Sequence, residues 1–201
     1  MRCNVLGDIQ APDTIKVLPG DNLTFDWHHD YRNDSDEIIA YSHHGPSTVY
    51  ISPDPPTENS FVKLWHEGKF EELPFPQPGK WSTTADIRAK YGKIMLECQR
   101  IFRLDCGFAL IYSHYTLLMR PSYLIRAEMI GFHEGEVSYK QNPRRGAQFY
   151  PNCVQIEVVG NGTVSLPEGV SFPGAYKYED PGIVYDVRHA FQSCITRHDR
   201  C

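Results

Sequence analysis

Two short segments of this chain carry the side chains best suited to chemistry. Residues 42–46 (Ser-His-His-Gly-Pro) place His43 and His44 before a glycine–proline pair, where the backbone bends sharply and lets an imidazole project. Residues 146–153 hold Gln148 and Tyr150, which share one face of an extended segment because they are two positions apart. Imidazole nitrogen and phenol oxygen both bind transition metals. Singly, each pattern is more typical of a structural loop or strand, so together they predict a metal site only if the fold brings them to one place.

Other candidate residues are weaker. His133 follows a strand-like run at residues 123–132, a position more typical of the surface, and a second histidine pair within residues 26–30 is typical of an exposed loop. The 25 acidic residues are scattered, so no carboxylate pair for glycoside hydrolysis can be selected. The chain has no Gly-x-Ser-x-Gly motif, phosphate-binding loop or dinucleotide-binding fingerprint.

Length and composition indicate one globular domain over residues 1–201. The chain is 41% hydrophobic and long enough to bury a core. Its net charge is −5 and its pI is near 6.0, which gives no electrostatic reason to expect nucleic acid or an anionic membrane as a partner. No apolar run reaches the roughly 18 residues that predict a membrane span.

Cysteines and glycosylation motifs indicate an extracellular protein. The six cysteines include no Cys-x-x-Cys pair of the zinc type, and an even number is compatible with disulfides. Three Asn-x-Ser/Thr motifs predict glycosylation at Asn22, Asn33 and Asn161. Residues 1–4 open without the apolar run of a signal peptide, so we expect a secreted protein whose signal peptide is missing from this chain.

Alternating hydrophobicity predicts an all-β fold. Residues 14–28 alternate on both sides of a turn at residues 19–21 and predict a hairpin with one buried face. Further strands are predicted at residues 48–52, 61–66, 123–133 and 153–159, and long loops at residues 67–80 and 134–145. Many short strands with turns between them, and almost no helical periodicity, favour an antiparallel β-sandwich.

Two segments do not follow this pattern of short strands and turns. Residues 96–122 have few of the glycines and prolines that mark turns elsewhere in the chain, and residues 188–201 are basic and do not alternate. They are interpreted either as helical or loop insertions or as the product of a retained intron or shifted reading frame. In the second case Cys98, Cys106, Cys194 and Cys201 need no partners.

Several motifs in fixed order resemble the fungal auxiliary activity family nine lytic polysaccharide monooxygenases, over residues 1–95 and 123–187. In chain order they are Met1-Arg2-Cys3-Asn4, Ser42-His43-His44-Gly45-Pro46, Val49-Tyr50-Ile51, Gly79-Lys80-Trp81-Ser82-Thr83, Tyr123-Leu124-Ile125-Arg126-Ala127-Glu128, His133, Gly146-Ala147-Gln148-Phe149-Tyr150-Pro151-Asn152-Cys153, Phe172-Pro173-Gly174-Ala175-Tyr176 and Asp180-Pro181-Gly182-Ile183.

The resemblance implies an immunoglobulin-like β-sandwich, incomplete here at its N-terminus, that holds one copper ion. In the family an N-terminal histidine gives copper two nitrogens, and the other imidazole and the axial tyrosine correspond to His43 and Tyr150. His133 and Gln148 correspond to residues that hydrogen-bond oxygen or its water precursor beside the metal. Cys3 and Cys153 correspond to a family disulfide.

The implied activity is oxidative cleavage of a β-1,4-glucan such as cellulose, by hydrogen abstraction at C1 or C4. The implied partners are the glucan and an external electron donor, and the protein is expected to be a monomer. Residue 1 is methionine, so the N-terminal histidine ligand is absent and we expect this chain to be impaired. One alternative is a non-catalytic secreted β-sandwich that binds polysaccharide or copper. A weaker alternative is a glycoside hydrolase with paired carboxylates.

Overall fold

The computed structural model describes residues 2–4, 9–18, 21–33, 35–97, 122–160 and 165–188. Met1, the predicted glycosylation site at Asn161, and most of the two departing segments (98–121 and 189–201) lie outside these residues. The strands are β1 (Ile15–Val17), β2 (Asn22–Asp26), β3 (Ser47–Pro53), β4 (Val62–Glu67), β5 (Lys69–Glu71), β6 (Lys80–Trp81), β7 (Lys93–Glu97), β8 (Ser122–Gly131) and β9 (Gln148–Val158). A short π-helix spans Ser82–Ile87.

The strands form one large sheet and two small ones. The five-stranded sheet has the order β1-β9-β8-β3-β4, with β1 parallel to β9 and the other neighbours antiparallel. β2 pairs with β7, and β5 pairs with β6, each antiparallel. Among the described residues no helix is long and apolar enough to cross a membrane.

The core lies between the five-stranded sheet and the β2–β7 pair. Alternate residues of β8 point into it because side chains along a strand alternate between faces. The buried residues that meet there include Tyr123, Ile125, Ala127 and Met129 of β8, Val49 and Ile51 of β3, Ile156 and Val158 of β9, and Leu23, Ile94 and Leu96 of the facing pair. This packing confirms the all-β sandwich.

The predicted hairpin at residues 14–28 is wrong. Both arms are strands, but β1 joins β9 in the large sheet while β2 joins β7 in the facing one. Val17 and Leu23 are nevertheless both buried in the same core. Alternation identifies the buried face of a strand, but it does not identify the strand's partner.

The opposite face of β8 carries a buried ion pair. Arg126 Nη2 donates to Glu128 Oε1 at 2.6 Å, and the two side chains are 2% and 0% exposed. The hydroxyl of Tyr176, from the loop that covers this face, donates to the other Glu128 oxygen at 2.8 Å. The expected disulfide between Cys3 and Cys153 is present beside this cluster.

Other strand limits differ modestly from prediction. The loop predicted at residues 67–80 contains β5 and the first residue of β6. The last strand begins at Gln148 rather than at residue 153, so that both Gln148 and Tyr150 belong to it. The strand predicted at residues 123–133 ends at Gly131, which leaves His133 in the turn that follows.

Candidate metal centre

The segment that carries His43 is held tightly at the start of β3. The hydroxyl of Thr83, in the π-helix, donates to the carbonyl oxygen of His43 at 2.6 Å and accepts the amide of Gly45 at 2.9 Å. On the other side, the amide of Phe132 donates to the carbonyl of His44 at 2.8 Å. A Cβ atom at Gly45 would collide with the carbonyl oxygen of Ile130, so only glycine allows this approach to β8.

Tyr150 and Gln148 reach the same place from β9. They lie on one face of the strand, opposite Met129 and Gly131 of β8. The Tyr150 hydroxyl donates to Gln148 Oε1 at 2.6 Å, and its oxygen lies 2.8 Å from Nε2 of His43. The fold therefore unites the two segments that the sequence singled out.

His133 completes the cluster. Its ring centroid lies 4.3 Å from that of His43, with 40° between the planes. Its Nδ1 atom is buried and has no hydrogen-bond partner among the described residues. Gly131 lies beneath both rings, because a Cβ there would stand 3.1 Å from Cδ2 of His43 and 3.4 Å from Nδ1 of His133. The glycine leaves room for the two imidazoles.

His44 belongs to the framework behind the cluster. Its Nδ1 lies 2.9 Å from Oγ1 of Thr84, so it links the start of β3 to the π-helix. His43 Nδ1 has a polar neighbour in Ser42, whose Oγ is 3.3 Å away. The two adjacent histidines thus face different surroundings, and only His43 meets Tyr150.

The surroundings favour the neutral form of the His43 and His44 imidazoles. Burial lowers the pKa of His43 below its ordinary 6.5, and the charges of His133 and His29 lower it further, with smaller opposing effects from Gln148 and Glu37. Burial also lowers the pKa of His44, assisted by His133, His43 and Arg188. Neutral imidazole is the form that binds a metal ion.

Burial acts on the phenol in the opposite sense. It raises the pKa of Tyr150 above its ordinary 10.0, because the phenolate is the charged form and loses solvation when it is buried. The hydroxyl therefore keeps its proton at neutral pH, in agreement with its hydrogen bond to Gln148.

The predicted glycosylation sites that the structure describes lie on other elements than this cluster. Asn22 begins β2 and Asn33 lies in the loop after it, and both are exposed. That loop also contains His29, Asp30 and Asp36, whose ligand-type atoms lie within 4.8 Å of one another. One Asp36 oxygen already accepts hydrogen bonds from the backbone amides of His29, Asp30 and Tyr31 at 2.9, 2.9 and 3.1 Å. We therefore interpret this group as one that stabilises the loop.

Sequence reasoning assigned no role to two framework residues. Thr83 lies in a segment that resembles the family, but nothing in its residue type shows that it contacts His43. Gly131 is a glycine at the end of a strand, a signal for close approach of another group, and here the group is an imidazole pair.

Comparison with known proteins places this chain in a family. The solved structure of CvAA9A superposes with a TM-score of 0.74 at 31% sequence identity, and the match covers 94% of this chain and 76% of that one. This chain belongs to auxiliary activity family 9. Residues 117–194 match the model of Auxiliary Activity family 9 (formerly GH61), which includes parts of both departing segments.

Family 9 relatives match along nearly the whole chain. The AA9 family lytic polysaccharide monooxygenase A of Aspergillus fumigatus is 40% identical over 198 residues, covering 96% of this chain and 47% of the relative. Its namesake from Schizophyllum commune is 37% identical over 190 residues, covering 93% of this chain and 66% of the relative. This chain therefore spans about half the length of the Aspergillus relative.

A more distant structure supports the fold alone. The extended catalytic domain of H. jecorina LPMO9A superposes with a TM-score of 0.62 at 21% identity, covering 90% of this chain and 62% of that one.

Proposed function

We propose that this chain forms part of a secreted, copper-dependent lytic polysaccharide monooxygenase that cleaves a β-1,4-glucan, such as cellulose, by oxidation at C1 or C4. The observation that carries the proposal is the continuous contact from His43 Nε2 through the Tyr150 hydroxyl to Gln148, with His133 packed against His43. Family membership and the names of the relatives support the class of reaction.

The donor atoms of the cluster fit copper. An imidazole nitrogen and a phenol oxygen converge, and nitrogen–oxygen donor sets suit Cu(II). The lowered pKa of His43 keeps its nitrogen available below neutral pH. The buried Nδ1 of His133 has no hydrogen-bond partner among the described residues, as expected of a group that bonds to something bound beside it.

Each side chain then has a distinct role in the proposal. His43 and Tyr150 would hold the ion, and Gln148 orients the phenol by accepting a hydrogen bond from its hydroxyl. His133 would hydrogen-bond oxygen or water beside the metal, and Gly131 leaves space for its ring. Copper would supply one-electron redox chemistry with oxygen or peroxide, fed by an external electron donor.

We also propose that a polypeptide made of these 201 residues alone has reduced oxidative activity. The family centre that the sequence resembles uses three nitrogens, and the described residues supply one of them, Nε2 of His43. A chelate formed by an amine and an imidazole of one residue contributes a large share of the affinity, because its second bond costs little further entropy. The single nitrogen donor among the described residues also favours the second candidate, a non-catalytic β-sandwich that binds copper or polysaccharide.

Copper titration tests the metal assignment. In electron paramagnetic resonance of the 201-residue polypeptide with one equivalent of Cu²⁺, we expect a weakly held signal with nitrogen coupling that disappears in H43A. H29A is the control, because it breaks the other histidine-containing group, and the nitrogen-coupled signal should persist in this variant. A signal lost in H29A and kept in H43A would contradict the assignment.

Product analysis tests the reaction. Cellulose incubated with the polypeptide, copper and a reductant should yield few soluble products, and those formed should carry aldonic or C4-keto ends by mass spectrometry. Binding without oxidised ends would support the non-catalytic candidate. Products with only ordinary reducing ends would indicate a hydrolase and contradict the proposal.

A further inference from the structure

The short π-helix at residues 82–87 contacts both members of the histidine pair. π-Helical turns are rare, and those that occur are frequent at functional sites. Two consecutive threonines of this helix meet two consecutive histidines. Thr83 bonds to the backbone of His43, and Oγ1 of Thr84 lies 2.9 Å from Nδ1 of His44. One short element of unusual geometry therefore holds the two histidines in different ways.

Thr83 fixes the backbone of the segment that carries His43. Its hydroxyl accepts the amide of Gly45 at 2.9 Å. The hydroxyl has a single proton to donate, and the nearer acceptor is the carbonyl of His43 at 2.6 Å rather than that of Gly45 at 3.1 Å. The amide of Thr83 donates to the carbonyl of Gly45 at 3.3 Å. Thr83 is fully buried, so water does not compete for these bonds.

The helix itself is anchored at both ends. Trp81, which precedes its first residue, is buried, and its ring packs edge-on against Phe132 and Tyr185 with centroids 5.8 and 5.4 Å away. Ile87, the last helical residue, is fully buried in the core between the two sheets. The helix is therefore a fixed support for its threonines.

We propose that Thr83 is a positioning residue of the metal centre, which holds the backbone of His43 so that its Nε2 atom stays beside the Tyr150 hydroxyl. The inference rests on the proposed function, because it concerns the residue assigned there to hold the ion. An imidazole projects from its own backbone, so the bonds to the His43 carbonyl and the Gly45 amide set where Nε2 lies. Metal ligands need to be held within about 0.5 Å of their working geometry. In this structure Nε2 lies 2.8 Å from the phenol oxygen.

Replacing Thr83 by valine tests the proposal, because valine is also β-branched and lacks only the hydroxyl. In the metal-free protein the ring centroids of His43 and Tyr150 are 5.5 Å apart, and the nuclear Overhauser effect between their ring protons should weaken in T83V. We expect the affinity for Cu²⁺ to fall by roughly tenfold, as for loss of a group that supports a metal ligand. T83S keeps the hydroxyl, so it should retain the Overhauser effect and bind Cu²⁺ within about twofold of wild type.

Three control variants separate positioning from a general loss of stability. S82A and T48V each remove a buried hydroxyl that has no hydrogen-bond partner among the described residues, the first in the same helix and the second in β3. Both should leave the Overhauser effect and the Cu²⁺ affinity unchanged. I87V removes a buried methyl group from the end of the helix, so it should lower the melting temperature and leave both site measurements unchanged.

The possible results lead to different conclusions. If T83V folds and keeps the Overhauser effect and the wild-type Cu²⁺ affinity, the positioning role is overturned and the proposed function stands. If I87V loses Cu²⁺ affinity as T83V does, the loss follows stability, and the role is again overturned. If the wild type gives no copper signal that depends on His43, the metal assignment fails, and the Overhauser effect in T83V still decides whether Thr83 positions His43.

T83S decides the question should T83V not fold. A folded T83S with the wild-type Overhauser effect and Cu²⁺ affinity supports the role of the hydroxyl. A folded T83S that has lost both overturns it, because the hydroxyl is still present.

Discussion

The phenol oxygen of Tyr150 lies 2.8 Å from Nε2 of His43, although 107 positions separate the two residues. The contact joins the segment just before β3 to the start of β9, two strands that are not neighbours because β8 lies between them. The contact is possible because β8 ends at Gly131, which has no side chain. His43 and Tyr150, on either side of β8, can therefore meet across this glycine. The centre thus sits over the end of the middle strand.

Replacing Tyr150 by phenylalanine removes the oxygen from this contact and keeps the ring. We expect the Cu²⁺ spectrum to change and oxidative activity of the intact enzyme to fall by about tenfold or more, as for loss of a group next to a metal. The free energy of unfolding should fall by no more than about 1 kcal/mol, because Tyr150 is 37% exposed. Y178F is the matched control, and an unchanged copper spectrum in Y150F would contradict the assignment.

The depressed pKa values of His43 and His44 predict a pH dependence for the metal-free protein. Because both pKa values are lower in the folded state than the ordinary 6.5, the unfolded state binds more protons in the interval just below pH 6.5. Their contribution to stability is therefore complete above pH 6.5 and is lost as the pH falls through that interval. Imidazole C2–H chemical shifts should titrate with midpoints below 6.5 for both residues.

A variant distinguishes the causes of the His43 shift. H133Q removes the neighbouring charge but not the burial, so the midpoint of His43 should rise and still remain below 6.5. A midpoint at or above 6.5 in the wild type would contradict the burial of this imidazole.

The two glycines near the centre predict opposite results for the same substitution. G45A places a methyl group against the carbonyl of Ile130, so it should destabilise the fold by about 3 kcal/mol or more. G131A meets imidazole rings at 3.1 and 3.4 Å, and those rings can shift by a few tenths of an ångström. We therefore expect G131A to melt close to wild type while its copper spectrum changes. Equal destabilisation by the two variants in urea titrations would contradict this description.

The buried pair Arg126–Glu128 predicts strong coupling. E128Q leaves the guanidinium buried without its counter-ion and should cost about 3–5 kcal/mol, whereas R126M/E128L should cost less than either single change. The exposed pair Lys16–Glu157, with atoms 3.8 Å apart, is the control, and K16M should cost less than about 1 kcal/mol. Urea unfolding of these variants and of R126M and E128L alone gives the values, and additive single effects at the buried pair would be the contrary result.

The amino-acid sequence determined the fold class, because strand alternation and turn residues are local properties. It also identified His43, Gln148, Tyr150 and His133 as the residues of interest, through motifs whose order resembles a known family. Local patterns could not predict which strands pair. β1 and β2 alternate like a hairpin, yet they lie in different sheets, and both bury their apolar faces in the core between those sheets.

Only the tertiary structure decided how the candidate residues meet. The distance from His43 to Tyr150 depends on the register of three strands and on Gly131 at the end of the middle one. The stack of Tyr139 on Tyr178 depends on two loops that approach in space, and no periodicity in either loop predicts it. Residue types and spacing specify which donors are available, whereas strand register and loop packing specify which of them share a site.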